Sequence, residues 1–217
     1  MRIKILIIFF FPYLVLSQIS FTYKTVRDVG TNYKEGPYSV FAIDVDGDGD
    51  MDVLSATNID DRIAWYENDG SESFTAHSIT TDADGASWVY AIDIDGDNDI
   101  DVLSSSLQDH KITWYENDGS ESFTARPIAT SGSYPVKIFA IDLDEDDDID
   151  VLSVDNNSVD WYENDGSESF TARNIGSISQ GKSVYAIDMD RDNDIDVLSA
   201  SSSDDKLAWY ENNGSES

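Results

Sequence analysis

The sequence predicts an all-β fold, assembled from four-stranded antiparallel units that follow one another along the chain. Three observations carry that prediction: one unit recurs four times, each unit reads as four short strands, and no segment has helical periodicity of useful length. The acidic strings that mark the units begin at Asp44, Asp93, Asp142 and Asp188, spaced 49, 49 and 46 residues apart. Trp-Tyr-Glu-Asn follows at Trp65, Trp114, Trp161 and Trp209, and Ser-Phe-Thr recurs around Phe21, Phe74, Phe123 and Phe170. Four strands in a repeat of about 45–50 residues is the signature of a β-propeller blade.

Each unit opens on a short apolar run, SVFAI, WVYAI, VKIFAI or SVYAI, rich in the β-branched and aromatic residues of a strand buried on both faces. The acidic loop comes next, and Asp-Val-Leu-Ser starts the second strand. RIAWYEN, KITWYEN and KLAWYEN alternate Ile or Leu and Trp on one face with Ala or Thr and Tyr on the other, as a third strand does. SFTAHSI, SFTARPI and SFTARNI supply the fourth. Asn-Asp-Gly at 68–70, 117–119 and 164–166, and Asn-Asn-Gly at 212–214, offer φ > 0 residues for a tight hairpin between strands three and four. The units span roughly 39–78, 88–128, 136–175 and 183–217, within a propeller region of 18–217. Residues 19–26 read as a lone fourth strand, expected to complete the last blade and close a ring. Four units make either a small closed ring or part of a larger propeller. The repeated tryptophans are expected in the core between blades.

Arg2 and Lys4 precede an apolar run from Ile5 to Leu16, and Val15 and Ser17 suit a small-residue cleavage site. Residues 1–17 therefore read as a secretory signal, shorter than the roughly twenty apolar residues that span a bilayer. The expected location is extracellular or at the cell surface, with no membrane insertion once the signal is removed. The chain has no cysteine, so no disulfide holds it together. Its formal charge is −31, and the four nine-residue acidic windows hold 22 of the 44 Asp and Glu residues. Charge of that sign and density disfavours nucleic acid and anionic membrane, and favours a cationic partner.

With the first Asp of each loop numbered 1, positions 1, 3, 5 and 9 are aspartate in all four copies. They are Asp44, Asp46, Asp48 and Asp52; Asp93, Asp95, Asp97 and Asp101; Asp142, Asp144, Asp146 and Asp150; and Asp188, Asp190, Asp192 and Asp196. Hard oxygen donors at this spacing suit Ca²⁺, which takes six to eight oxygens at about 2.3–2.6 Å. Position 6 is Gly49, Asn98, Asp147 or Asn193, residue types that tolerate a left-handed backbone. Position 8, Met51, Ile100, Ile149 or Ile195, is an apolar pin into the core. A carbonyl at position 7 would finish the shell, leaving the carboxylates of Asp50, Asp99, Asp148 and Asp194 to face water. An EF-hand would need Glu at position 12, where Ser55, Ser104, Ser153 and Ser199 stand, and flanking helices instead of strands. The ion would neutralise the crowded carboxylates and take the place of missing disulfides.

These units resemble the FG-GAP or VCBS repeat, the Ca²⁺-binding propeller blade of integrin α-subunits and many secreted bacterial proteins. The string DVDGDGDMDVLSA is close to that family's D-x-D-G-D-G-x-x-D loop, and the resemblance covers residues 21–217. It implies that side chains at positions 1, 3, 5 and 9 and the carbonyl at 7 hold the ion, in a loop joining the inner two strands. The Phe-Gly and Gly-Ala-Pro signatures are absent, and Glu145 and Arg191 replace the glycine at position 4.

In an up-and-down blade, the one-two and three-four turns share one face and the remaining loops share the other. Spacings across the acidic loop and the three-four turn are constant, whereas the other connections vary in length, so the variable loops gather opposite the metal. The recognition segments expected there include 31–39, 80–88, 129–136 and 178–183, with 57–61, 105–110, 154–160 and 201–205. Tyr33, Tyr38, Trp88 and Tyr134 are available for stacking on a sugar or gripping a protein, or for packing at the channel rim. His77 and His110 read as ordinary surface residues. The expected function is a secreted calcium-binding module for a protein or polysaccharide partner, and not an enzyme. Acid/base catalysis needs two carboxylates in unlike environments, and these come as near-identical sets. The alternatives are the propeller domain of a carbohydrate-active enzyme and a structural spacer of a longer protein.

Overall fold

The computed structural model describes residues 22–26, 36–130 and 134–214, and the expected signal, 1–17, lies outside them. Sheet one comprises β1 (Pro37–Ile43), β2 (Asp52–Thr57), β3 (Arg62–Asn68) and β4 (Phe74–Thr80). Sheet two comprises β5 (Ala86–Ile92), β6 (Asp101–Ser106), β7 (Lys111–Asn117) and β8 (Phe123–Ala129). Sheet three comprises β9 (Lys137–Ile141), β10 (Asp150–Val154), β11 (Ser158–Asn164) and β12 (Phe170–Ser177). Sheet four has β13 (Gly181–Ile187), β14 (Asp196–Ser201) and β15 (Lys206–Tyr210). Every sheet is an antiparallel meander in chain order, as the all-β reading requires. No helix among the described residues is long and apolar enough to cross a membrane.

Residues 19–21 of the expected closing strand lie outside the described residues. The rest of it, 22–26, is exposed and forms no strand. Lys24 Nζ sits 2.6 Å from Glu72 Oε2 at the tip of the β3–β4 turn, a solvent-exposed ion pair beside sheet one. Among the described residues β15 is therefore the outer strand of sheet four.

Register follows from the two-residue period. Leu54 lies opposite Phe41 on one side and Trp65 on the other, so one face of sheet one carries a continuous apolar band. That face packs against the next sheet. Leu54, Ile63 and Trp65 of sheet one join Val89, Ala91 and Val102 of sheet two in one buried cluster. Leu103, Ile112 and Trp114 meet Ile138, Ala140 and Val151 in a second, and Leu152 and Val159 meet Val184, Ala186 and Val197 in a third. The core is thus three layers between sheets, not a single centre. First strands pack on one another in succession, β1 on β5, β5 on β9 and β9 on β13. Along them runs an aromatic ladder: Phe41–Tyr90 at 4.8 Å, Tyr90–Phe139 at 5.7 Å and Phe139–Tyr185 at 5.0 Å between ring centroids. The first two tryptophans of the Trp-Tyr-Glu-Asn motif lie in this core, Trp65 and Trp114 each only 1% exposed, whereas Trp209, in the last sheet of the described residues, is 47% exposed.

Candidate metal centres

Each acidic loop joins the first two strands of its sheet and is held by its own aspartates. In loop one, Asp44 accepts the N–H groups of Gly47 (2.8 Å) and Gly49 (2.9 Å), Asp46 that of Asp48 (3.1 Å), and Asp48 that of Asp50 (2.8 Å). The backbone is left-handed at positions 4 and 6 in all four copies, including Glu145 (φ 63°), Arg191 (φ 70°) and Asp147 (φ 75°). A left-handed L-residue costs roughly 1–2 kcal/mol. Loops three and four keep the left-handed backbone in spite of that cost, although in loop three Asp142 accepts from Asp146 N (3.1 Å) where the other loops use the N–H at position 4.

Position 9 serves as the anchor. Asp52, Asp101, Asp150 and Asp196 are fully buried, and each carboxylate accepts two backbone N–H groups. For Asp52 these come from Val45 at 3.0 Å and Asn68 at 2.8 Å, and the other sheets repeat the pair. The same asparagine reaches back with its side chain: Asn68 Nδ2 donates to Met51 O, as do Asn117 to Ile100, Asn164 to Ile149 and Asn212 to Ile195. The Asn of Trp-Tyr-Glu-Asn therefore clamps the acidic loop from the third strand. Sequence reading assigned it only to the hairpin, although its constant recurrence beside the tryptophan was the available signal.

The position-7 carboxylates do not simply face water. A Cβ added to Gly70, Gly119 or Gly166 would stand 2.4 Å from Oδ2 of Asp50, Asp99 or Asp148, and one on Gly214 2.7 Å from Asp194. The carboxylates lie over the hairpin glycines. The hairpin itself is wider than expected: five residues, 69–73, separate β3 from β4, with φ > 0 at Gly70 and Glu72. Asp69 closes it by accepting from Ser71 N (2.9 Å), Ser71 Oγ (2.6 Å) and Ser73 N (3.3 Å). The Ser-Glu-Ser that follows each Asn-Asp-Gly explains the difference, because its hydroxyl and N–H groups satisfy the aspartate.

Oxygens from three carboxylates converge within 4.8 Å in every loop: Asp44, Asp46 and Asp48; Asp93, Asp95 and Asp101; Asp142, Asp144 and Asp146; and Asp188, Asp190 and Asp196. In loop three, each ionised pair at that separation repels by about 1 kcal/mol in bulk water and about 3.5 kcal/mol at an effective dielectric of about 20. Burial, then the charges of Asp146, Glu163 and Asp142, pushes Asp144 up to about 6. Its Oδ1 is buried without a hydrogen-bond partner. Asp46 and Asp95 are also raised, first by desolvation. At the anchors, burial lifts Asp101 and Asp150 to about 7 although two N–H donors oppose it. An orphaned buried oxygen among converging carboxylates is an arrangement that a hard cation satisfies, and the donor set fits one. These clusters could hold a metal ion.

Three overlapping stretches, residues 44–104, 99–153 and 142–199, match the family model for the FG-GAP-like repeat. The chain belongs to the FG-GAP-like repeat family. Its fold is similar to that of a lectin from Agrocybe aegerita that recognises non-reducing terminal N-acetylglucosamine, with TM-score 0.54 and 19% identity over 82% of this chain and 53% of the lectin. It is also similar to part of the Tc holotoxin pore of Photorhabdus luminescens, with TM-score 0.50 and 16% identity over 78% of this chain and 9% of that one. The chain thus spans about half the length of the lectin. No curated protein matches it.

On the opposite face of these FG-GAP-like repeats, sheets two and three leave a cleft of about 420 Å³. Three expected recognition segments meet there, contributing His110, Thr130, Pro135, Asp155, Ser158 and Asp160, with Tyr162 from β11 behind them. His110 is not an ordinary surface residue: its Nδ1 is buried without a partner and its ring lies 4.4 Å from that of Tyr134, which is itself 48% exposed. Asp61 and Asp205 hold the same place in sheets one and four, with the same positive φ, so the histidine side chain stands there once and comparison among copies could not find it. His77 stacks on Trp65 at 4.6 Å and bonds Glu67 at 2.8 Å. It takes the place that Arg126 holds over Trp114 and Arg173 over Trp161, so it does have counterparts. Trp88 packs toward sheet three, with Lys137 Nζ 5.0 Å above its ring. Tyr38 is 57% exposed, and Tyr33 lies outside the described residues.

Proposed function

We propose that the chain is a secreted, calcium-stabilised and non-catalytic recognition module for an extracellular protein or polysaccharide. Calcium is the ion that matches all-oxygen loops of flexible geometry, and extracellular modules bind it with Kd of about 10⁻⁴–10⁻³ M. Side chains at positions 1, 3 and 5, the carbonyl at position 7 and the anchor at position 9 would hold it. The ion would supply charge neutralisation and cross-link the two inner strands of each sheet.

The observation that carries the recognition reading is the cleft between sheets two and three. Its volume is that of a small-ligand site, and it combines the His110 ring, against which Tyr134 packs from the adjoining loop, with hydroxyl and carboxylate groups on loops that differ among the repeats. Its carboxylates are already engaged: Asp155 caps a turn, accepting from Asn157 N (2.6 Å) and Ser158 N (2.7 Å), and Asp160 accepts from Asn174 Nδ2 (2.8 Å) on the neighbouring strand. The strongly shifted anchors Asp101 and Asp150 are buried beyond reach of a substrate. Both facts support binding over turnover. Glycan and peptide arrays in millimolar calcium, including terminal N-acetylglucosamine, provide the test. Binding that His110→Ala and Tyr134→Ala abolish, without moving the melting temperature, is expected. Hydrolysis of any bound glycan, or binding indifferent to both substitutions, would refute the reading.

A further inference from the structure

The two ends of the arc of sheets are apolar, and they are unlike. Sheet four turns Tyr185, Met189, Leu207 and Trp209 outward, Leu207 being 89% exposed and Met189 54%. The counterparts of Leu207 in earlier sheets are core: Ile63, Ile112 and Val159 are at most 1% exposed, each covered by the following sheet. At the other end, Val40 of β1 is 66% exposed and Met51 62%. Counterparts of Val40, namely Val89, Ile138 and Val184, are at most 1% exposed because each packs on the preceding sheet. Among the described residues, then, sheet four has no sheet following it and sheet one has none preceding it.

From this we infer that two copies of the chain associate head to tail, sheet four of each on sheet one of the other, closing a two-fold ring of eight sheets. The contact is the one already made three times within the chain, so its shape and chemistry are those of the internal sheet-to-sheet contacts. The aromatic ladder agrees. It runs Phe41, Tyr90, Phe139, Tyr185, and Phe41 of a second copy continues both the stacking and the alternation. Two equal heterologous contacts close a ring and leave no apolar end, and eight blades lie within the usual range of about four to eight. In each internal repeat the outer strand leads directly into the next sheet, β4 into β5 and β8 into β9. Thr22–Val26, upstream of β1, is by the same path carried to the open edge of β15 in the other copy.

Sedimentation or light scattering of the full secreted chain in millimolar calcium should give twice the chain mass. Leu207→Asp and Val40→Asp alter side chains exposed in the single chain, so each variant should still unfold cooperatively, with a midpoint lowered only by the lost association and independent of protein concentration, while each alone becomes monomeric. Mixing the two variants restores one unmodified contact, and a two-chain species should return at concentrations where neither variant alone associates. A monomer for the unmodified chain, an open-ended ladder of masses, or no recovery on mixing would each overturn the inference.

Discussion

Replacing Asp144 by asparagine should act in opposite directions with and without calcium. The Asp144 oxygens gather within 4.8 Å of those of Asp142 and Asp146. In chelator, removing its charge removes two repulsions of about 1 kcal/mol each at water's dielectric, a floor for a partly buried site. The asparagine keeps the shape and an oxygen. A gain of about 2 kcal/mol raises the melting midpoint by about 4–8 °C in a chain of this size. Salt does little to reduce it, since the Debye length of about 8 Å at physiological ionic strength exceeds the separation. With calcium bound, the lost partner is a double charge at about 2.4 Å, half the distance. On the same scale that attraction is about 4 kcal/mol, so the loss exceeds the gain by about 2 kcal/mol and the midpoint falls by about 4–8 °C. Calorimetric melts in millimolar calcium and in excess chelator measure both signs. A shift in the same direction in the two solutions would refute the claim that a cation balances these carboxylates.

Two further outcomes follow from the anchors and the hairpins. Asp101 and Asp150 have folded values of about 7, above the ordinary 3.8, so their contribution to stability is complete below about pH 4 and is lost as pH rises through 7. Calcium-free protein should accordingly show a higher urea midpoint at pH 5 than at pH 8, flattened by Asp101→Asn with Asp150→Asn, while calcium affinity measured by titration calorimetry falls as protons compete below pH 7. Gly119→Ala places a Cβ 2.4 Å from Asp99 Oδ2 at φ 71° and should cost at least about 1–2 kcal/mol in urea unfolding; adding Asp99→Ala should recover the steric part and leave the backbone part, and equal losses in both backgrounds would remove the close approach as the cause.

Repetition made much of this protein legible. A motif that returns with the same internal spacing reports what every unit needs, and the strand order, the tryptophan core and the acidic loops were all readable for that reason. Features that break the repetition were not. His110 stands once, so its place in the cleft emerged only when 105–110, 129–136 and 154–160 were seen to meet. The role of Asn117 was hidden differently: it lies sixteen residues from the aspartate whose carboxylate receives its N–H, a pairing created by strand register.

The sequence by itself determined the unit: four strands, a five-aspartate loop and a glycine hairpin, because side-chain period, turn chemistry and charge are local properties. Tertiary structure decided how the units are used. Strand register chose which aspartates are buried anchors and set the asparagine clamps, loop folding gathered other carboxylates within 4.8 Å of one another, and stacking of sheets opened a cleft on the opposite face. It also left unlike apolar faces on sheets one and four, since a residue's burial depends on whether another sheet stands beside it and not on the motif that contains it.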